Sequence, residues 1–115
     1  MTSDWSHHRA RLQAELDELA RLSAQAATAG RTVELDQTRV GRLSRMDALQ
    51  QQAMAQHTRA RYELRRQQVA AALARIAAGR YGRCCECEDD LPAKRLAADP
   101  AAVFCADCAA ERERH

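Results

Sequence analysis

The chain has 115 residues, enough for one domain of ordinary size, and alanine supplies 25 of its 53 hydrophobic positions. Only 23 side chains are large and apolar, which is too few to fill a compact globular core. Scarce β-branched and aromatic residues disfavour a sandwich or barrel. The composition favours long helices packed in pairs, so we expect a mainly α protein.

The first predicted helix covers residues 4–29. Trp5, Leu12, Leu19 and Ala26 recur every seven residues, and Leu16 and Leu22 widen that stripe. Ser3 is the predicted N-cap, with Asp4 favourable beside the helix dipole. Gly30 is the predicted stop.

Residues 30–42 contain poorer helix formers and predict an irregular connector. A second helix is predicted over residues 43–78, where neither Gly nor Pro occurs, and Gly79 ends it. Its apolar residues form two seams. The early one is Leu43, Met46, Ala53 and Ala60; the later one is Tyr62, Val69, Leu73 and Ile76.

Two such helices joined by a short connector predict an antiparallel coiled-coil hairpin at residues 1–78, with its tip at about residues 30–47. A purely structural hairpin with nothing at its tip remains an equal alternative at this point. The rest of the chain, residues 79–115, is expected to form a separate module.

Four cysteines in that module have the spacing of a metal site. Cys84 and Cys87 form one C-x₂-C pair, and Cys105 and Cys108 form a second pair after seventeen residues. A two-residue gap lets both sulfurs of a pair face one ion, and two pairs complete a tetrahedron. Four thiolates leave no position for water, so we expect one structural Zn²⁺.

The other features of this module leave alternatives open. An iron–sulfur cluster can also use four cysteines, whereas a redox pair lacks the expected βαβ frame. Cys85 is interpreted as a free thiol beside the site, with redox sensing as the sharper alternative. Residues from Cys105 onward predict a short C-terminal helix, and metal binding is expected to supply the folding energy of the module.

These residues resemble the DksA/TraR family of bacterial zinc-finger transcription regulators. The resemblance covers about residues 69–111, and its specific matches are Gly79-Arg80-Tyr81-Gly82-Arg83, Cys84, Cys87, Leu91, Arg95-Leu96, Pro100, Cys105 and Cys108. It implies a protein that binds RNA polymerase, inserts its coiled-coil tip through the secondary channel and modulates initiation, often together with ppGpp. The cytoplasm is expected on separate grounds, since five cysteines without a secretory signal argue for a reducing compartment.

The resemblance also directs attention to the tip. Family members typically carry Asp-x-x-Asp-x-Ala there, whereas in this chain Ser44 precedes Asp47 by three residues and Leu49 follows it by two. Asp47, Arg45, Ser44 and Asp36 are therefore the candidate polymerase-contacting residues. Glu88 stands where the family often has Gly after the second cysteine.

Other functions are less well supported by the residues. A zinc-dependent DNA- or RNA-binding protein is the main alternative, because residues 51–83 carry seven basic residues and one acidic residue. At 100° per residue, however, Arg59 and Arg66 lie opposite Arg61 and Arg65, so no single face tracks phosphates.

The remaining expectations are negative or concern assembly. Catalysis is not expected, because the four histidines are scattered and no nucleophile motif or open metal site appears. No secretory signal and no run of 18 apolar residues occurs, which argues against a membrane protein. We expect a monomer without direct sequence-specific DNA binding.

Overall fold

The computed structural model of the chain describes residues 4–36 and 42–114, with side chains from residue 4 to 28 and from 45 to 114. It is mainly helical. The elements are α1 (Ser6–Asp36), α2 (Arg42–Ala77), α3 (Ala93–Ala98) and α4 (Ala106–Glu113). In the described part of the chain, no helix is both long and apolar enough to span a bilayer.

The two long helices confirm the predicted hairpin, but α1 does not end where the sequence indicated. It continues through Gly30 to Asp36, so the predicted stop was wrong. A glycine inside a helix costs only about 1 kcal/mol relative to alanine, which thirty other residues can offset. The predicted N-cap Ser3 lies outside the described residues, and Asp4 supplies the cap by accepting the Ser6 N–H at 2.9 Å.

The end of α2 follows the prediction closely. The helix stops at Ala77, and Gly79 adopts φ 75°, the left-handed conformation that glycine takes after a helix. Its N–H bonds to the Ile76 carbonyl at 3.1 Å. The chain therefore turns sharply at Gly79, five residues before Cys84.

The chain forms two compact units. One contains residues 16–67, which include α1 from residue 16 onward and α2 up to residue 67. Leu19 and Ala48 are buried in it. With no third layer among its described residues, this unit is a pair of helices, about 20 Å across since each helix is about 10 Å wide.

The other unit combines residues 1–15 with residues 68–115. The start of α1 and the end of α2 pack here against the cysteine-bearing segment. The core contains the following buried side chains: Leu12, Val69, Ala72, Ile76, Tyr81, Leu91, Leu96 and Ala101. The metal-binding segment thus shares one hydrophobic core with both long helices. The predicted domain boundary between residues 78 and 79 stays a prediction.

The predicted apolar seams have different outcomes. Leu12 and Leu19 of the first seam are buried, as are Val69 and Ile76 of the later α2 seam, which confirms both stripes. The early α2 seam is wrong, since Met46, Ala53 and Ala60 are all exposed. The side chain of Leu43 lies outside the described residues.

The reason for that error lies in the residues of α2 that do face inward. Ala48, Ala55 and Tyr62 recur every seven residues on the opposite side of the helix, where Ala48 is buried and the other two are half-buried. Both faces are rich in alanine, so periodicity alone could not tell which one packs.

Candidate metal centre

The first pair of cysteines lies on a tight backbone loop. Arg83 and Asp90 form an isolated antiparallel bridge, which closes the loop that carries Cys84 and Cys87. Inside it the Cys84 N–H bonds to the Asp89 carbonyl at 2.9 Å, and the Glu88 N–H bonds to the Cys84 carbonyl at 3.1 Å. This turn brings both sulfurs to the same side.

Glu88 completes that turn in a conformation unusual for its type. Its φ is 64°, the left-handed region in which a β-carbon is unfavourable. A glycine would adopt this left-handed conformation without strain. This gives a physical reason why members of the family that the sequence resembles often have glycine at this position. The strain at Glu88 shows that the loop conformation is imposed by its surroundings.

The second pair lies at the start of α4. Cys105 is the N-cap residue of this helix, and its Sγ accepts the Cys108 N–H at 3.4 Å. Cys108 follows one turn later. The sulfur of Cys105 therefore caps the helix and faces the loop of the first pair.

The four sulfurs meet in one cluster. All ligand atoms of Cys84, Cys87, Cys105 and Cys108 lie within 4.8 Å of one another, and the Cys87 and Cys105 sulfurs are 3.8 Å apart. A tetrahedron with metal–sulfur bonds of about 2.3 Å has sulfur–sulfur edges of about 3.8 Å. The residues predicted from the spacing are thus positioned to bind one metal ion.

The electrostatics of the cluster favour at least one thiolate. The backbone N–H of Cys87, aided by those of Cys105 and Glu86, lowers the pKa of Cys84 to about 6, although burial opposes the shift. The Cys105 and Cys84 side chains raise the pKa of Cys108. Four negative sulfurs this close repel one another, and a divalent cation removes that repulsion.

Cys85 does not belong to the cluster. Its side chain is exposed, and its N–H bonds to the Val103 carbonyl at 2.7 Å. This backbone bond joins the first cysteine loop to the segment before Cys105. Cys85 therefore contributes its main chain to the site, as expected for a non-ligand thiol.

Three arginines hold the surrounding loops through backbone carbonyls. Arg75 Nη2 donates to the carbonyls of Arg80 at 3.0 Å and Arg83 at 2.9 Å. Arg95 Nε donates to the Phe104 carbonyl at 2.7 Å, and Arg11 Nη1 to that of Ala97 at 2.9 Å. Sequence analysis could not predict these roles, because an arginine that bonds to a backbone carbonyl has no pattern that distinguishes it from a solvent-exposed one.

An aromatic group joins the start of α1 to the same module. The rings of Trp5 and Tyr81 lie edge to face at 4.9 Å, and His8 contacts both. Tyr81 Oη donates to the Pro100 carbonyl at 2.6 Å. A β-carbon on Gly82 would lie 2.9 Å from the Trp5 ring, so the indole requires glycine there. Aromatic packing and the metal site thus support the same loop from two sides.

The candidate tip residues lie near the end of α1 and the start of α2. Arg45 lies at the end of the first turn of α2 and Asp47 in the second turn, and both are exposed. Asp36 is the last residue of α1, and Ser44 lies in the first turn of α2, but the side chains of both lie outside the described residues. The structure brings the four cysteines together and leaves the tip set as predictions.

Comparison with known proteins gives two findings. Residues 79–114 match the sequence model of the prokaryotic dksA/traR C4-type zinc finger. The whole fold is similar to that of the transcription factor DksA2 from Pseudomonas aeruginosa, with a TM-score of 0.82, 23% identity, and coverage of 96% of this chain and 85% of the other. No curated protein sequence matches the chain.

Proposed function

Because residues 79–114 match the prokaryotic dksA/traR C4-type zinc finger, we propose that the chain is a member of the DksA/TraR family and that it regulates transcription by binding RNA polymerase. The single observation that carries the proposal is the four-sulfur cluster inside the segment that matches this family. Zinc is the cofactor, held by Cys84, Cys87, Cys105 and Cys108. A filled thiolate shell gives it a structural role and no catalytic one.

The binding mode that we propose uses the tip of the hairpin. The unit of residues 16–67 consists of two helices, and a pair about 20 Å across is narrow enough to enter a protein channel. We infer that this unit reaches through the secondary channel towards the active centre. Asp47 and Arg45, with Ser44 and Asp36, are the proposed contacts at its tip.

Several finer features belong to the same proposal. The regulator acts in the cytoplasm, where the polymerase is, and binds as a monomer. ppGpp is a proposed co-regulator at the joint interface with the polymerase. The division into a hairpin at residues 1–78 and a zinc module at residues 79–115 remains our proposed domain organisation.

The direct test is binding of the zinc-loaded chain to purified RNA polymerase. We expect a complex in a pull-down, and we expect a second protein that occupies the secondary channel to displace the chain. Binding unaffected by such a competitor would contradict the channel mode. No binding to the polymerase at all would overturn the proposal.

The tip is tested by Asp47→Asn in a purified transcription assay. We expect the variant to bind polymerase normally and to have a weaker effect on initiation, because the lost charge is exposed near the tip. Asp17→Asn, which removes an exposed carboxylate of α1 far from the tip, is the matched control. Equal effects of wild type and Asp47→Asn would exclude a role for this carboxylate.

Nucleic-acid binding by the basic second helix is the alternative, and the structure offers it little support. Arg66 is paired with Glu63 at 3.2 Å, and Arg65 is half-buried. The exposed Arg59 and Arg61 lie about 160° apart around the helix. We expect no mobility shift of duplex DNA or RNA by the chain alone at physiological salt. A salt-sensitive shift would favour the alternative.

A further inference from the structure

The outer face of α2 carries an apolar stripe that the fold leaves exposed. Its large side chains have high exposed fractions: Met46 65%, Leu49 52%, Met54 65% and Leu64 57%. All four lie in the unit of residues 16–67. No other large hydrophobic side chain among the described residues is comparably exposed.

The pattern of this face is that of a second coiled-coil seam. Residues recur at alternating intervals of four and three and lie within about 40° of one line along the helix. We call this set the outer seam: Met46, Gln50, Ala53, His57, Ala60 and Leu64, all of them exposed. It contains no Asp, Glu, Lys or Arg, although 30% of the chain is charged.

The outer seam is distinct from the seam that holds the hairpin together. Ala48, Ala55 and Tyr62, which face inward, lie on the opposite side of α2. The helix therefore has two narrow apolar faces, and α1 covers only one of them. A helix with two such faces can pack against two partners at once.

We propose that the outer seam binds the outer seam of a second copy of this chain, antiparallel and centred near residue 55. In this register Met46 packs against Leu64 of the second copy, and Gln50 against its Ala60. Ala53 then meets the second copy's His57. The two-fold axis repeats each layer, so two of the six layers pair large apolar side chains and four pair an alanine with a polar side chain.

The charges at the border of the seam select this register. In an antiparallel coiled coil, a residue that flanks the seam on one side lies opposite the residue at the equivalent heptad position of the partner. On one side of the outer seam, α2 carries Asp47, Met54 and Arg61 at intervals of seven. Centred near residue 55, Asp47 lies opposite Arg61 of the second copy, and the axis makes this pair twice. Met54 lies opposite the second copy's Met54, so the pairing covers three of the four large exposed side chains.

A parallel pairing fits the same residues less well. Each seam residue would then meet its own copy, which places Gln50 on Gln50 and His57 on His57. The flanking Arg61 would face Gln56 rather than an acid. The complementarity of Asp47 and Arg61 exists only in the antiparallel arrangement, which is why we assign it.

The seam is short, and this sets the expected strength. From Met46 to Leu64 it spans 19 residues, or about 28 Å. An interface of this size lies at the low end for specific association, so we expect a dissociation constant on the order of tens of micromolar. The chain is then the predicted monomer at low concentration and a dimer at high concentration.

The test is sedimentation equilibrium of the zinc-loaded full chain from about 1 to 500 µM at low salt. Asp47→Arg and Arg61→Asp each place like charges together twice, and we expect each to weaken association about five-fold. The double variant Asp47→Arg/Arg61→Asp restores the opposite pairs, so its dissociation constant should return to within about two-fold of wild type.

Two further variants complete the design. Leu64→Gln removes the largest layer and should weaken association about ten-fold. Arg59→Asp makes the same charge change as Arg61→Asp off the seam and should leave association unchanged. Circular dichroism and zinc content confirm that each variant folds. A chain that stays monomeric at 500 µM, or a double variant no better than the singles, overturns the proposal.

Discussion

Two left-handed residues flank the first cysteine pair, and they differ in what surrounds them. Gly82 has φ 86° and lies under the Trp5 ring, whereas Glu88 has φ 64° and carries a full side chain. Gly79, at φ 75°, has nothing within 4 Å of its missing β-carbon. Comparing the three positions distinguishes two free-energy costs: that of the left-handed backbone itself, and that of a steric clash between an added β-carbon and a neighbouring side chain.

We expect Gly82→Ala to destabilise the chain more than Gly79→Ala. Both variants place a β-carbon on a left-handed residue, at a cost of about 1–2 kcal/mol. Only the first also drives that carbon to 2.9 Å from the indole, so the ring must shift. Urea unfolding of the zinc-loaded variants measures both losses. Equal losses in the free energy of unfolding would show that the Trp5 ring can move aside without cost.

The same reasoning predicts the opposite sign at Glu88. Glu88→Gly removes the left-handed penalty while keeping the turn, so we expect the free energy of unfolding to rise by up to about 1 kcal/mol. Greater freedom of glycine in the unfolded chain offsets part of this gain. A clear loss of stability in the same urea series would mean that the side chain of Glu88 contributes contacts of its own.

A histidine in the aromatic group gives the chain a pH dependence. Partial burial, with Arg11 and His7 nearby, lowers the pKa of His8 below 6.5. Its Nδ1 is buried without a hydrogen-bond partner. Trp5 and Tyr81 face it from the packed side. The folded state therefore favours the neutral ring, and the unfolded chain binds the proton more readily.

We therefore expect the stability contribution of His8 to be complete above about pH 6.5 and to fall as the pH drops below that value. Thermal melting from pH 7.5 to 5.5 should show a smaller loss for His8→Leu than for wild type. Comparing the two chains at each pH removes the effect of acid on the cysteines, which they share. Parallel curves for the two chains would contradict the assignment.

At the scale of the elements, the sequence predicted the helices better than their ends and faces. The second helix was predicted to within one residue at both ends, because Gly79 and the uninterrupted run before it are strong signals. The prediction that α1 ends at Gly30 was wrong, because one glycine does not end a helix when the residues on both sides favour it. The helix α3 was missed, since six residues between Pro92 and Pro100 carry no periodic pattern.

The passage of α1 through Gly30 predicts a stabilising substitution. Gly30→Ala should raise the free energy of unfolding by about 0.5–1 kcal/mol, since alanine is the better residue inside a helix. Had the helix ended at Gly30 in a left-handed conformation, the same change would destabilise the chain. Circular dichroism and urea unfolding of the variant distinguish the two cases by sign.

At the scale of the whole molecule, the metal site was the most predictable feature. The spacing of Cys84, Cys87, Cys105 and Cys108 identified all four sulfurs, because the geometry of a C-x₂-C pair depends on local backbone alone. By contrast, the Arg11 hydrogen bond to the Ala97 carbonyl joins residues 86 positions apart, and the Trp5 indole over Gly82 joins residues 77 positions apart. No local pattern encodes such contacts.

Removal of zinc should therefore disturb more than the cysteine loop. We expect Cys87→Ser to lower the zinc content and the melting temperature, while Cys85→Ser, which changes the neighbouring exposed thiol, leaves one zinc per chain. Elemental analysis and differential scanning calorimetry measure both. Loss of zinc from Cys85→Ser would instead make Cys85 a ligand.

The unit that holds the metal combines residues 1–15 with residues 68–115, two segments far apart in the sequence, and this constrains the order of folding. Arg11 reaches a carbonyl 86 residues later, so a chain leaving the ribosome displays the start of α1 long before its packing partners exist. Helices α1 and α2 can pair within residues 16–67 during synthesis, whereas the unit of residues 1–15 and 68–115 can close only after Cys108 has left the ribosome. Folding of the metal-holding unit is thus a late step with high contact order.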